Sequence, residues 1–156
     1  MPETLRALPS LLLILAICYA VAFFAAQFQP DTWYTALEKP PWTPPAWVFA
    51  PVWSLLYGMM AVAAWLVWQR RDSDGVAPAL AAFAFQLVLN GAWSWLFFGL
   101  NLVTVALAEI LLLWLAVVLT TVLFFRQRAL AGWLLVPYLA WLSYAVTLNA
   151  GIAALN

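Results

Sequence analysis

Three kinds of side chain in this sequence could do chemistry: tryptophans and tyrosines at helical spacing, a few amides, and one acid, Glu109, inside a long apolar run. The ingredients of most catalysis are missing. There is no histidine and only one cysteine, Cys18, so zinc, haem and thiolate chemistry lack their usual ligands and no metal site is expected. No nucleophile stands beside a base and an orienting partner, so no catalytic residue is assigned and no cofactor is required. What the residues offer is ring surface with a few hydrogen-bonding groups, recurring inside the helices at helical spacing as well as near their ends.

The spacing of these residues groups them. Trp53 and Tyr57 lie at i, i+4; Asn90, Trp93 and Phe97 at i, i+3, i+7; and Tyr138, Trp141, Ala145, Leu148 and Asn149 fall along one helical stripe. A buried amide costs free energy unless it meets a partner, so Asn90 must face another helix, as glue between helices, or a cavity. A charged Glu109 would cost about 2.5–3.5 kcal/mol near a bilayer centre, which makes it a functional candidate by default. It sits six residues past Val103, near the end of its span, and is expected to reach a polar group of a neighbouring helix.

The elements that must position these groups are membrane helices. Of 156 residues, 68% are hydrophobic and 8% charged, against roughly 25% charged in a soluble domain. Apolar stretches run at about 8–28, 46–68, 77–100, 103–125 and 130–154, each long enough to cross a hydrocarbon core. The expected fold is an all-α integral membrane protein, one five-helix bundle over 1–156, with an ordered loop at 29–45. Arg6 and "CYA" would also suit a signal peptide, but the apolar run continues to Phe28, as in a spanning helix. Ile17 before Cys18 argues against a lipoprotein site, which leaves Cys18 as an inert buried thiol. With six basic and six acidic residues and no basic run, nucleic acid is not an expected partner; the lipid bilayer is.

Arg6, Arg70, Arg71, Arg126 and Arg128 fall on the side of the N-terminus and Lys39 alone on the other, so the N-terminus is expected to be cytoplasmic. The long first loop is then on the opposite face. Its "KPPWTPPAWVFAPVW" holds five prolines and three tryptophans, and proline is tolerated in the first turn of a helix, where Thr43 is a candidate cap. Upstream, "PDTWYTALEK" has the spacing of one or two helical turns, with Trp33 and Leu37 forming an apolar face. The loop therefore reads as an ordered lid, the alternative being an interfacial aromatic belt. A further candidate contact is the small-residue face of the third span, Ala77, Ala81 and Ala84, where two copies could approach closely.

The stretches "KPPWTPPAWVFAPVWSLLYGMM", "FQLVLNGAWSWLFFG", "LAEILLLWL" and "VPYLAWLSYAVTLN" resemble the translocator protein family, also called the tryptophan-rich sensory protein or TspO/MBR family. The resemblance implies a five-helix bundle, often dimeric, whose pocket opens toward the first loop and takes porphyrins, sterol-like lipids and benzodiazepine-type ligands. Carried over residue by residue, it places Trp53, Tyr57, Asn90, Trp93, Trp141, Ala145 and Leu148 on the pocket wall, with Tyr34 and Pro44 in the lid. Protoporphyrin or haem is the implied ligand and a homodimer the implied assembly. The roles it implies are sensing or translocation, with light-dependent porphyrin breakdown beside pocket tryptophans and proton-coupled transport through Glu109 as alternatives. The sequence departs from the family in three places. Tyr19, Phe23 and Phe24 replace small residues of the first span and would narrow the cavity or change a dimer contact; the C-terminal sterol-recognition pattern is absent; and Asn101 and Leu102 replace basic residues of some relatives.

Cysteines introduced at Asp74 and Thr35 are expected to label from opposite faces of the membrane; labelling from one face would overturn the orientation.

Overall fold

The computed structural model describes residues 3–156, with side chains from Leu8 onward; Met1, Pro2 and the side chain of Arg6 lie outside the described residues. Among the described residues, five helices are long and apolar enough to cross a membrane. They are α1 (Glu3–Ala25), α3 (Phe49–Trp68), α4 (Val76–Ser94), α5 (Val103–Gln127) and α6 (Ala129–Leu155), with a short α2 (Thr32–Ala36) in the first loop. The protein is an all-α integral membrane protein.

Two span ends differ from expectation for local reasons. The first span stops at Ala25 rather than Phe28, because Gln27 and Phe28 tighten the last turn onto Phe24 and Ala25 (3.1 and 3.2 Å) ahead of Pro30. The third span ends in a π turn, Trp95–Gly99, closed by Leu100 N–H on the Trp95 carbonyl at 2.9 Å. Chain reversals use left-handed backbone at Gly75 (φ 83°) and Asn101 (φ 57°), residues that accept it at low cost.

The helices close a ring: α1 packs on α3 and α4, α4 on α5, α5 on α6, and α6 back on α3. α1 is held from one side only, with 6% of its span buried against 28–44% for the others. Its inward face carries the fully buried Cys18. At Gly58 of α3 a Cβ would stand 2.9 Å from the Tyr19 hydroxyl, which donates to the Ser54 carbonyl at 2.8 Å. The bulky α1 residues therefore do not fill the interior: Phe23 is 70% exposed on the outside, and Tyr19 and Phe24 are exposed as well. Between α5 and α6, Trp114 Nε1 donates to Ser143 Oγ at 2.8 Å and Asn149 Nδ2 to the Val103 carbonyl at 3.1 Å. At the opposite membrane face the short loops are laced together, Arg70 donating to the Gln127 carbonyl and Arg128 to Gln69 Oε1 at 3.2 Å.

The first loop is ordered and fastened. Asp31 caps α2, its carboxylate accepting from Tyr34 N–H at 3.2 Å. Thr43 is not the cap of the following helix; its hydroxyl donates to the Pro40 carbonyl at 2.7 Å, and the helix begins at a 3-10 turn, Ala46–Val48, after Pro45. Three contacts tie the loop to α6. Asn156 accepts from Glu38 N–H (3.1 Å) and donates to the Glu38 carbonyl (3.0 Å), Tyr144 donates to the Trp42 carbonyl, and Pro40 sits directly on Gly151. Trp42 and Trp47 point outward, 51% and 75% exposed, and suit the interfacial belt rather than the cover.

A Cβ at Gly151 would meet Pro40 Cγ at 2.3 Å, a rigid ring that cannot swing aside. Gly151→Ala is therefore expected to lift the loop and raise amide exchange across residues 38–45 without loss of helical circular dichroism; unchanged exchange there would refute the seat.

Candidate functional site

Helix α3 presents Trp53 and Tyr57, α4 presents Gln86 and Asn90, and α6 presents Tyr138, all toward the ring's centre. They form one polar chain. Tyr57 OH donates to Asn90 Oδ1 at 2.6 Å, Asn90 Nδ2 donates to the Tyr138 hydroxyl oxygen at 2.6 Å, and Tyr138 OH donates to Gln86 Oε1 at 2.9 Å. The Gln86 amide faces Met60 Sδ at 3.8 Å. Trp53 roofs the chain, its ring 6.0 Å from Tyr57 and 6.2 Å from Tyr138.

Nearer the lid, Trp93 donates through Nε1 to Asn149 Oδ1 at 3.0 Å and stacks on Phe97 at 5.0 Å. The π turn places Phe97 and Phe98 side by side at 4.8 Å, and both meet Tyr34, at 6.2 and 5.3 Å. Trp33 and Leu37 pack on the same cluster. Lys39 Nζ lies 4.6 Å over the Tyr34 ring and donates to the Leu37 carbonyl at 3.0 Å. Burial raises the Tyr34 phenol above its ordinary pKa, so it stays neutral at physiological pH.

Trp141 stands apart, against Phe49 at 6.0 Å and Tyr144 at 5.5 Å. It lines an open cleft of about 520 Å³ between α3 and α6, with Val52, Leu56, Pro137 and Ala140. Its indole Nε1 is buried and has no acceptor among the described residues. Ala145 packs on the main core beside it, Leu148 is buried, and Pro44 is half-buried in the lid.

The structure thus joins Trp53, Tyr57 and Asn90 in one cluster, Tyr34 and Trp93 in a second, and sets Trp141 at a cleft. Asn90 is both expected things in part: its oxygen and one N–H tie helices together, which leaves one N–H. Gln86 escaped the sequence reading although it sits one turn before Asn90, and Tyr138 was placed on the inward stripe without a role. Glu109 does not reach a neighbouring polar group as expected; both its oxygens are buried without a partner among the described residues. No group of three or more potential metal ligands occurs among the described residues.

The sequence matches the model of the TspO/MBR family over residues 10–155. The chain belongs to the TspO/MBR family. It is 42% identical over 154 residues to a tryptophan-rich protein TspO of Chlorobaculum tepidum, covering 94% of this chain and 96% of that protein. It is 43% identical over 145 residues to a tryptophan-rich sensory protein of Cereibacter sphaeroides, covering 93% and 90%. The human translocator protein is 42% identical over 119 residues, covering 75% and 70%. In this TspO/MBR chain the matched residues include every helix of the ring and the fastened loop.

Asn90→Leu in this chain removes the acceptor of Tyr57 and the donor to Tyr138, leaving a buried hydroxyl unpaired. It is expected to cost about 1–2 kcal/mol, read as a lowered Tm in mild detergent, with Tyr57→Phe recovering part of the loss in the double variant. An unchanged Tm for Asn90→Leu would remove the polar chain as a stabilising element.

Proposed function

We propose that this protein binds porphyrins such as protoporphyrin or haem, and other flat apolar molecules including sterol-like lipids, in a pocket within the bundle beneath the first loop. Binding serves a sensory, regulatory or translocating role in tetrapyrrole or stress metabolism. The observation that carries the reading is the Trp141 indole N–H, buried and without an acceptor among the described residues. A buried donor left unpaired costs about 1–3 kcal/mol, and a ligand carbonyl or carboxylate would relieve that cost. Phe49 and Tyr144 stand against the Trp141 ring, and Val52, Leu56 and Pro137 line the same cleft, which supplies apolar contact; Trp53, Tyr57 and Trp93 add ring surface elsewhere in the bundle. The loop fastened over the bundle end supports a covered site rather than an open surface. The names of the relatives, sensory protein and translocator protein, agree with a ligand-responsive membrane role.

The reading includes an N-terminus on the cytoplasmic side and a homodimer. Ala77, Ala81 and Ala84 support the dimer, because they lie exposed on the outer face of α4, where a second copy's backbone could approach.

Tryptophan-fluorescence titration with protoporphyrin tests the pocket. Trp141→Phe keeps most of the ring surface but deletes the donor, so affinity is expected to fall by about 1 kcal/mol, or roughly fivefold. Ala145→Thr, one turn beyond, adds bulk and is expected to weaken an aromatic carboxamide ligand. Binding unchanged in both variants, with helical content intact, would reduce the aromatic stripes to core packing.

A further inference from the structure

The membrane face opposite the lid carries four arginines around one corner of the bundle. Arg70 and Arg71 follow α3, Arg126 lies in the last turn of α5 and Arg128 precedes α6. Against them stand only Asp72 and Asp74 of the α3–α4 loop, so four arginines and two aspartates leave a net charge of +2. At the lid face Lys39 stands against Asp31 and Glu38, a net charge of −1. Among the described residues none of these arginines forms an ion pair with a carboxylate.

Two of the four are used inside the protein. Arg70 donates to the Gln127 carbonyl and Arg128 to Gln69 Oε1 at 3.2 Å, while Gln127 Nε2 donates to the Asp74 carbonyl at 3.2 Å. These bonds tie the α5–α6 corner to the end of α3 and to the loop beyond it. The other two, Arg71 and Arg126, are exposed and have no hydrogen-bond acceptor among the described residues. Arg71 lies 5.6 Å over the Trp68 ring, and Arg126 follows Phe125, whose ring meets Trp133 at 5.4 Å.

Trp68 and Trp133 are themselves 39% and 63% exposed. Trp68 is the last residue of α3 and Trp133 lies in the second turn of α6, so both stand close to the membrane face. Tryptophan at the end of a spanning helix sits at headgroup depth, with its ring in the acyl boundary and its N–H toward the ester and phosphate layer. Free guanidinium groups and exposed indoles thus share one level of the same corner. A guanidinium is a planar fork of N–H donors that matches a phosphate, and the anion available at that depth is lipid phosphate. A zwitterionic lipid offers the same phosphate but brings its own cation, which a face of net positive charge repels, so the surface selects net negative charge.

We propose that the corner formed by the ends of α3 and α5 and the start of α6 is a binding surface for anionic glycerophospholipids. Their phosphates pair with Arg71 and Arg126, and their ester level meets Trp68 and Trp133. The surface is at the far end of the bundle from the lid and does not depend on the proposed ligand pocket. Charges that served only to orient the chain would hold no lipid once the bilayer is removed.

The test places the full-length protein in nanodiscs of equimolar dioleoyl phosphatidylglycerol and dioleoyl phosphatidylcholine and identifies by native mass spectrometry the lipids that stay bound on release. Wild type is expected to retain phosphatidylglycerol over phosphatidylcholine, each free arginine contributing about fivefold, the scale of one basic residue at an anionic leaflet. R71Q and R126Q should each lower the preference by about fivefold, and R71Q/R126Q should bring it near parity. R71K/R126K keeps both charges and should keep most of the preference, while K39Q at the lid face should leave it unchanged. Equal retention of the two lipids by wild type overturns the proposal. A preference that survives in R71Q/R126Q, or that K39Q abolishes, places the lipid elsewhere and overturns it too. Loss in R71K/R126K as complete as in R71Q/R126Q makes the two side chains structural and overturns it as well.

Discussion

Asn90 is held between the hydroxyls of Tyr57 and Tyr138, and α3, α4 and α6 take their relative depth in the membrane from that contact. In a bilayer the surrounding chains are as apolar as leucine, so burying more leucine does little to choose one helix arrangement over another. A polar chain of fixed donors and acceptors does choose, because shifting one helix by a turn would leave hydroxyls and amides unpaired in hydrocarbon. The energy per bond is modest, averaging about 0.6 kcal/mol in membrane double-mutant measurements, so the chain's contribution is register more than bulk stability.

The rest of the interior depends on that register. With Asn90 facing inward, Trp93 falls one turn nearer the loop and meets Asn149, and the π turn then directs Phe97 and Phe98 at Tyr34. Continued as a regular α-helix, residues 95–99 would aim these rings differently, since a π turn adds a residue and rotates the chain beyond it. The lid is thus gripped at two places, by aromatic rings from α4 and by hydrogen bonds and the Pro40 seat from α6. Both grips sit on helices that also carry the polar chain.

The five spans, the helical turn in the first loop and the inward facing of Trp53, Tyr57, Asn90 and Tyr138 were legible, because hydropathy and 3.6-residue spacing act locally, whereas Trp141 of the same α6 stripe lies at the α3–α6 cleft. Other features were not. Thr43 looked like a cap because it precedes the prolines, yet the competing acceptor, the Pro40 carbonyl, is created by a turn that the prolines themselves fold. The α1 aromatics read as narrowing the cavity or changing a dimer contact, because sequence gives their size and not the rotation of α1, at which Tyr19 packs on Gly58 and bonds the Ser54 carbonyl. Gln86 carried a signal, one turn before Asn90, but a lone glutamine has no spacing rule that separates glue from ligand contact. The partners of Asn90 and the isolation of Glu109 are tertiary facts, decided by which of several tyrosines, serines and indoles the packing brings within reach.

The membrane also decides what kind of selectivity such a site can have. A flat apolar molecule leaving water for a protein gains about 25 cal/mol per Å² of apolar area buried, but one leaving lipid has already gained that. Ring surface from Trp53 or Trp93 therefore offers such a ligand shape and dispersion contact rather than a large transfer free energy. Hydrogen bonds still discriminate, because a ligand N–H or carbonyl in the hydrocarbon has few partners to give up, and pairing it inside the protein adds a modest but geometry-dependent gain. Discrimination among membrane-dissolved ligands must then rest on the few polar groups the interior leaves unpaired. Among the described residues the buried side-chain atoms that have no partner are the indole nitrogen of Trp141 and the carboxyl oxygens of Glu109.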